Sequence, residues 1–190
     1  GDQDSRADTL LSTAEVLLSA VIAQAELSRD AVSVSIKDAS YTLASAHQTT
    51  TFAGTNSLPA GVEGVADLLG KVKPLLYGKG LKIEPPCVNT SKLIYQISAR
   101  ALQSVDGVYD GGAALTAGAT YADQAAMEAT APSAGQYRAW LAGGMIRLGS
   151  SLVYGLTVDA TADTSGNSTA AQLIKTLALA RGWSSGDISS

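Results

Sequence analysis

Apolar and polar residues alternate in several short runs along this chain. In VIAQAELSRDAVSVSIKD, Val21, Ala23, Ala25 and Leu27 alternate with Ile22, Gln24 and Glu26, and Val32, Val34 and Ile36 alternate with Ser33, Ser35 and Lys37. A period of two sends successive side chains to opposite faces of a strand, so two such runs across Ser28-Arg29-Asp30 predict a β-hairpin. The Ala and Leu of the overlapping TLLSTAEVLLSAVIAQ favour helix instead, and the hairpin is the reading adopted. Residues 1–9 are polar and read as a frayed terminus.

Residues 51–70, TFAGTNSLPAGVEGVADLLG, hold four glycines and a proline, which predicts a loop or an inter-lobe connection. PLLYGKGLKIEPP (74–86) reads as a strand interrupted by Gly78 and Gly80, and LIYQISA (93–99) as another. SVDGVYDGGAALTAG predicts a hairpin around Asp110-Gly111-Gly112, whose glycines tolerate the positive φ of a tight turn. Thr120 reads as the cap of a short helix over 121–130, stopped at Ala131-Pro132. QYRAWLA and MIRLGS flank Gly143-Gly144, which predicts a two-residue hairpin turn, and LVYGLTVDAT (152–161) supplies a further strand. Residues 168–181 read as a helix opened by a Thr169/Gln172 capping box, with Ile174, Leu177, Ala178 and Arg181 on one face and Gly182 as its stop. The tail SSGDISS resembles the cap of a further helix, as in an excerpt of a longer protein.

Composition changes this picture in one respect. Hydrophobic residues make up 46% of the 190 and charged residues 16%, against about a quarter charged in ordinary globular chains. The surface is therefore rich in neutral polar groups. A core of Ala, Ser, Thr and Gly with one Phe buries little area per residue, so part of the stability is expected from neighbouring chains.

Charge and cysteine content narrow the function classes. The net charge is −4 and no Lys/Arg cluster occurs, which argues against binding nucleic acid by phosphate neutralisation. A single cysteine, Cys87, rules out an intrachain disulfide and multi-cysteine metal sites. No apolar run approaches the ~18 residues of a membrane span. The acidic start GDQDSRADT is unlike a signal peptide.

The candidate chemical residues are few. His47, in SAHQTTT, has no second histidine for a metal and reads as a surface residue. Cys87, after Pro85-Pro86, reads as a small hydrophobe, because a nucleophile needs a nearby base to lower its pKa. Asp159, Asp163 and Asn167 offer oxygen ligands every fourth residue, without the alternate spacing of an EF-hand loop, so a solvated loop explains them. GTNSLPAGVEG matches neither phosphate-binding glycine pattern, and no GxSxG elbow occurs. No catalytic, cofactor or metal residues are assigned.

The run from GTNSLPAGVEG through KPLLYG, LIYQ and VYDGG, and on through TYAD…ATAP to YR…RLGS, resembles uncharacterised tail-associated proteins of long-tailed bacteriophages and prophages. The resemblance covers roughly residues 54–182 and rests on turns, strand cores and caps. Gly111 stands where those proteins are expected to carry a charged residue. The resemblance implies a virion structural protein of the tail tip or baseplate, made in the bacterial host cytoplasm, non-enzymatic and without cofactor. It implies a symmetric oligomer whose partners are other tail subunits.

The sequence thus predicts a β-dominated α+β fold of antiparallel hairpins forming sandwich- or barrel-like modules, with two short helices. The expected regions are an N-terminal hairpin region (1–53), a Gly-rich connection (54–72), a hairpin module (73–165) and a C-terminal helix (166–190). Two other functions compete with assembly. One is a carbohydrate- or receptor-binding module using Tyr137, Trp140 and Trp183 as a stacking surface. The other is a tail-associated cell-wall hydrolase domain.

Overall fold

A computed structural model of the chain describes residues 21–27, 31–37, 46–162 and 169–185. The Ser28-Arg29-Asp30 turn, the frayed start and helix-or-strand ambiguity before residue 21, Asp163, Asn167 and the SSGDISS end beyond residue 185 lie outside them. The fold is β-dominated, with antiparallel and mixed sheets, two short helices and no closed barrel among the described residues. Two compact units are present, residues 1–47 with 181–190, and residues 48–180.

In the first unit, β1 (Val21–Leu27) and β2 (Val32–Lys37) form the antiparallel hairpin that the alternation predicts, with Leu27 opposite Val32 and a bulge between Ile22 and Gln24.

The second unit holds two sheets. Its strands are β3 (Lys79–Ile83), β4 (Cys87–Asn89), β5 (Ile94–Gln96), β6 (Ser104–Asp110), β7 (Ala113–Ala114), β8 (Thr116–Ala117), β9 (Gln136–Trp140), β10 (Met145–Leu148) and β11 (Leu156–Thr161). One sheet has the order β4-β5-β10-β9-β8 and the other β3-β11-β6-β7. Every pairing is antiparallel except β8 with β9. The chain changes sheet within one residue at Leu115, between β7 and β8, and Leu115 itself packs against the core. The strands expected over 74–86 and 152–161 are shorter than their apolar patterns, because prolines and glycines within them leave the ladder, and the one expected over 93–99 starts only after Leu93, whose φ of 54° departs from strand geometry.

The two sheets share one core. Tyr137, Ala139, Ile146 and Leu148 from the five-stranded sheet meet Val108, Leu156, Val158 and Ala160 from the four-stranded one. Side chains of opposite parity on the five-stranded sheet, Val88, Ile94 and Met145, pack instead with Phe52, Val62, Leu68, Tyr121 and Met127. The middle sheet is thereby covered on both faces, and all four residues of β10 are buried. Burying a side chain such as Ile146 or Leu148 is worth about 1.5–3 kcal/mol.

Residues 54–72 form part of that second cover. The Thr51–Val72 bridge holds the loop's ends together, and Asn56, Glu63 and Asn89 knit its interior. Asn56 Nδ2 donates to the Val88 carbonyl at 2.6 Å, while Glu63 N–H donates to Asn56 Oδ1 at 2.7 Å. Buried Asn89 donates through Nδ2 to the Pro59 and Gly61 carbonyls at 3.0 and 2.7 Å. The asparagines add to backbone bonds such as Gly54 N–H to the Glu63 carbonyl and Gly70 N–H to the Phe52 carbonyl, so the loop lies on the sheet with its polar backbone paired outside any ladder.

Helix α1 (Gln124–Ala129) is shorter than the expected 121–130 and has a different cap. Asp123, not Thr120, accepts the Ala126 N–H at 2.7 Å, because Asp123 holds the extended backbone that an N-cap requires. At the other end, buried Arg147 donates from Nη1 to the Met127 and Glu128 carbonyls at 2.6 and 3.0 Å. A cation at a helix C-terminus meets both the orphan carbonyls and the dipole.

Helix α2 (Ala170–Ala180) opens on the expected capping box. Gln172 N–H donates to Thr169 Oγ1 at 3.3 Å and Thr169 N–H donates to Gln172 Oε1 at 3.1 Å. Its buried residue is Ala178, whereas Ile174, placed with it by periodicity, is 64% exposed. No described helix is long and apolar enough to cross a membrane.

Candidate functional site

The residues singled out by sequence do not converge. His47 is exposed. Cys87, half-buried on β4, lies opposite Tyr95. Burial pushes its thiol up despite the Tyr95 hydrogen bond that acts in the other direction, and burial pushes the Tyr95 hydroxyl up to about 12. A nucleophilic cysteine needs the opposite shift. Tyr137 is buried between the sheets, while Trp140, three residues on, faces the second cover. Opposite faces of one strand cannot form one stacking surface, so the expected aromatic platform is not made by these two. No cluster of three or more metal-ligating side chains occurs among the described residues.

Asp159 does belong to a built site, on the four-stranded sheet. It sits at a β-bulge, where the register of β11 shifts against both β3 and β6. A bulge re-aims the side chain it carries. Here Asp159 Oδ1 accepts the Lys82 N–H at 2.8 Å, and Oδ2 accepts from the Tyr109 hydroxyl at 3.5 Å. Lys82 is held in the left-handed region at φ 52°, a conformation costly for a residue with a Cβ and found preferentially at functional sites.

Gly107 makes room for Tyr109. The two residues share a face of β6, and a Cβ at 107 would lie 2.5 Å from the Tyr109 hydroxyl oxygen. The ring therefore runs back over the glycine toward Asp159, which pairs with Gly107 across the ladder. Lys82, Tyr109, Gly112, Thr157 and Asp159 line an open cleft of about 230 Å³.

A second exposed feature adjoins the same sheet. Asp110 accepts the backbone N–H groups of Val153 and Tyr154 at 2.8 and 2.7 Å, fixing the 149–155 loop. The side chains of that loop are left in solvent, Val153 at 79% and Tyr154 at 74% exposure, and Leu81 on edge strand β3 is 64% exposed.

Comparisons with known protein families, with curated proteins and with solved structures give no match. Sequence reasoning named Asp159 only as a possible cation ligand and passed over Tyr109, Lys82 and Thr157. The signal present in the sequence was Gly107 two residues before Tyr109, since glycine within a strand marks a close approach.

Proposed function

We propose that the chain is a non-enzymatic assembly module of a bacteriophage tail tip or baseplate, docking other tail subunits and further copies of itself. The observation that carries this reading is the exposed apolar set Val153, Tyr154 and Leu81 on a pinned loop and an edge strand. A fixed loop loses little entropy on binding, so apolar area presented this way converts efficiently into affinity. Exposed strand edges such as β3 invite pairing unless a neighbour covers them. The tail assignment rests on the resemblance of residues 54–182, whose shared motifs are the turns, caps and strand cores that form the scaffold.

The test combines light scattering of the purified chain with immunolabelled negative-stain images of phage particles. Concentration-dependent self-association, lost in a Val153→Ser/Tyr154→Ser variant, and label at the tail end are expected. A monodisperse monomer at high concentration with no label on particles overturns the reading.

A further inference from the structure

We propose that the cleft on the four-stranded sheet binds one pyranose ring of a neutral glycan, a ligand function distinct from assembly. The cleft combines groups that a sugar ring requires together. Tyr109 offers an aromatic ring held over Gly107, against which the apolar C–H face of a pyranose packs. Asp159 offers a carboxylate whose Oδ2 has, among the described residues, only the long 3.5 Å Tyr109 contact, leaving lone-pair capacity for a sugar hydroxyl donor. Lys82 supplies a donor to the same cleft and Thr157 a hydroxyl that works in both senses. Vicinal hydroxyls, each donor and acceptor at once, complement a carboxylate and a hydroxyl lining one cleft.

The size and charge of the site narrow the class. At about 230 Å³ the cleft is below the ~300–1,000 Å³ of drug-sized pockets, which suits a single ring of a longer chain lying across an open surface. The Asp159 carboxylate repels a phosphate, so a nucleotide or phospholipid headgroup fits less well than an uncharged sugar. The site is also positioned by its backbone. The bulge aims Asp159, the left-handed Lys82 directs its N–H to Asp159 Oδ1, and Thr157 stands opposite Tyr109 on the neighbouring strand. Groups fixed in this way lose little freedom when a ligand arrives.

The test is titration of the full chain with cellotetraose and with maltotetraose, followed by NMR of the Tyr109 ring and the Thr157 and Asp159 amides. Saturable shifts confined to the cleft are expected with at least one sugar, at a Kd on the order of 1 mM. Tyr109→Leu, and independently the near-isosteric Asp159→Asn and Thr157→Val, should each weaken binding at least several-fold. The last two variants keep the test informative should Tyr109→Leu fold poorly. Val153→Ser/Tyr154→Ser should leave sugar binding unchanged, which separates this site from the assembly surface. No saturable shift with either sugar at tens of millimolar, or binding that survives both Asp159→Asn and Thr157→Val, overturns the proposal.

Discussion

At the scale of single residues, the chain uses glycine for two different physical reasons. The Gly111-Gly112 pair forms a two-residue turn between Asp110 and Ala113, with φ of 55° and 93°, the mirror-image geometry that suits a twisted hairpin. Gly143-Gly144 was expected to do the same and does not. Trp140 pairs with Met145, so the turn contains Leu141 to Gly144, and of its two glycines only Gly144 has positive φ, at 66°. What Gly144 provides is proximity: a Cβ there would lie 2.0 Å from the Ser98 carbonyl oxygen. At Gly112 a Cβ meets nothing within 4 Å. Gly112→Ala should therefore cost only the left-handed backbone penalty of about 1–2 kcal/mol. Gly144→Ala should cost clearly more, because backbone must move. Urea unfolding of both variants measures the difference, and equal losses would refute the close-approach account.

At the scale of elements, the cover formed by residues 52–70 and α1 depends on two glutamates. Burial alone would raise the Glu63 carboxyl, but the Lys73 ammonium and the Ala53 N–H outweigh it and hold it below the ordinary value. Burial likewise acts to raise Glu128, and Gln124, Lys92 and the Gly61 N–H bring it below. A carboxyl whose folded pKa is depressed contributes stability above its unfolded pKa, and that contribution is lost as pH falls through the folded value. The Ala53 and Gly61 amide resonances should therefore titrate with midpoints below the ~4.3 of a free glutamate, and the cover should loosen before the sandwich core does. Midpoints at or above the free value, or simultaneous loss of both layers on acidification, would contradict this. The same element shows where capping chemistry was readable. The Thr169/Gln172 box was legible because it is a local hydrogen-bond pattern, whereas the α1 cap was misplaced from Asp123 to Thr120 because both residues are suitable caps and only the backbone decides between them.

For the whole molecule, the decisive feature is that the five-stranded sheet lies between two apolar clusters. Hydrogen exchange should find its slowest amides in β10, Met145 to Leu148, since opening that strand exposes both clusters at once. The edge strands β3 and β8 should exchange faster. Greatest protection in the four-stranded sheet instead would mean that the second cover contributes little to global stability.

The sequence alone determined what local physics controls. Alternation with period two marked β1, β2, β5, β9 and β10, the Asp110-Gly111-Gly112 turn followed from φ requirements, and the β-dominated class with two helices followed from their sum. The tertiary structure decided what depends on residues far apart in the chain. A glycine-rich segment became a sheet cover because Asn56, Asn89, Glu63 and Glu128 satisfy its backbone from positions up to 67 residues away. Arg147, an unremarkable charge in the middle of β10, became the buried cap of a helix 20 residues before it. Asp159 acquired its setting from a bulge, a strained Lys82 and a tyrosine laid over Gly107, three contributions from three different strands. Register and bulges are fixed by the packing of both faces of a sheet, and no single stretch of sequence contains both.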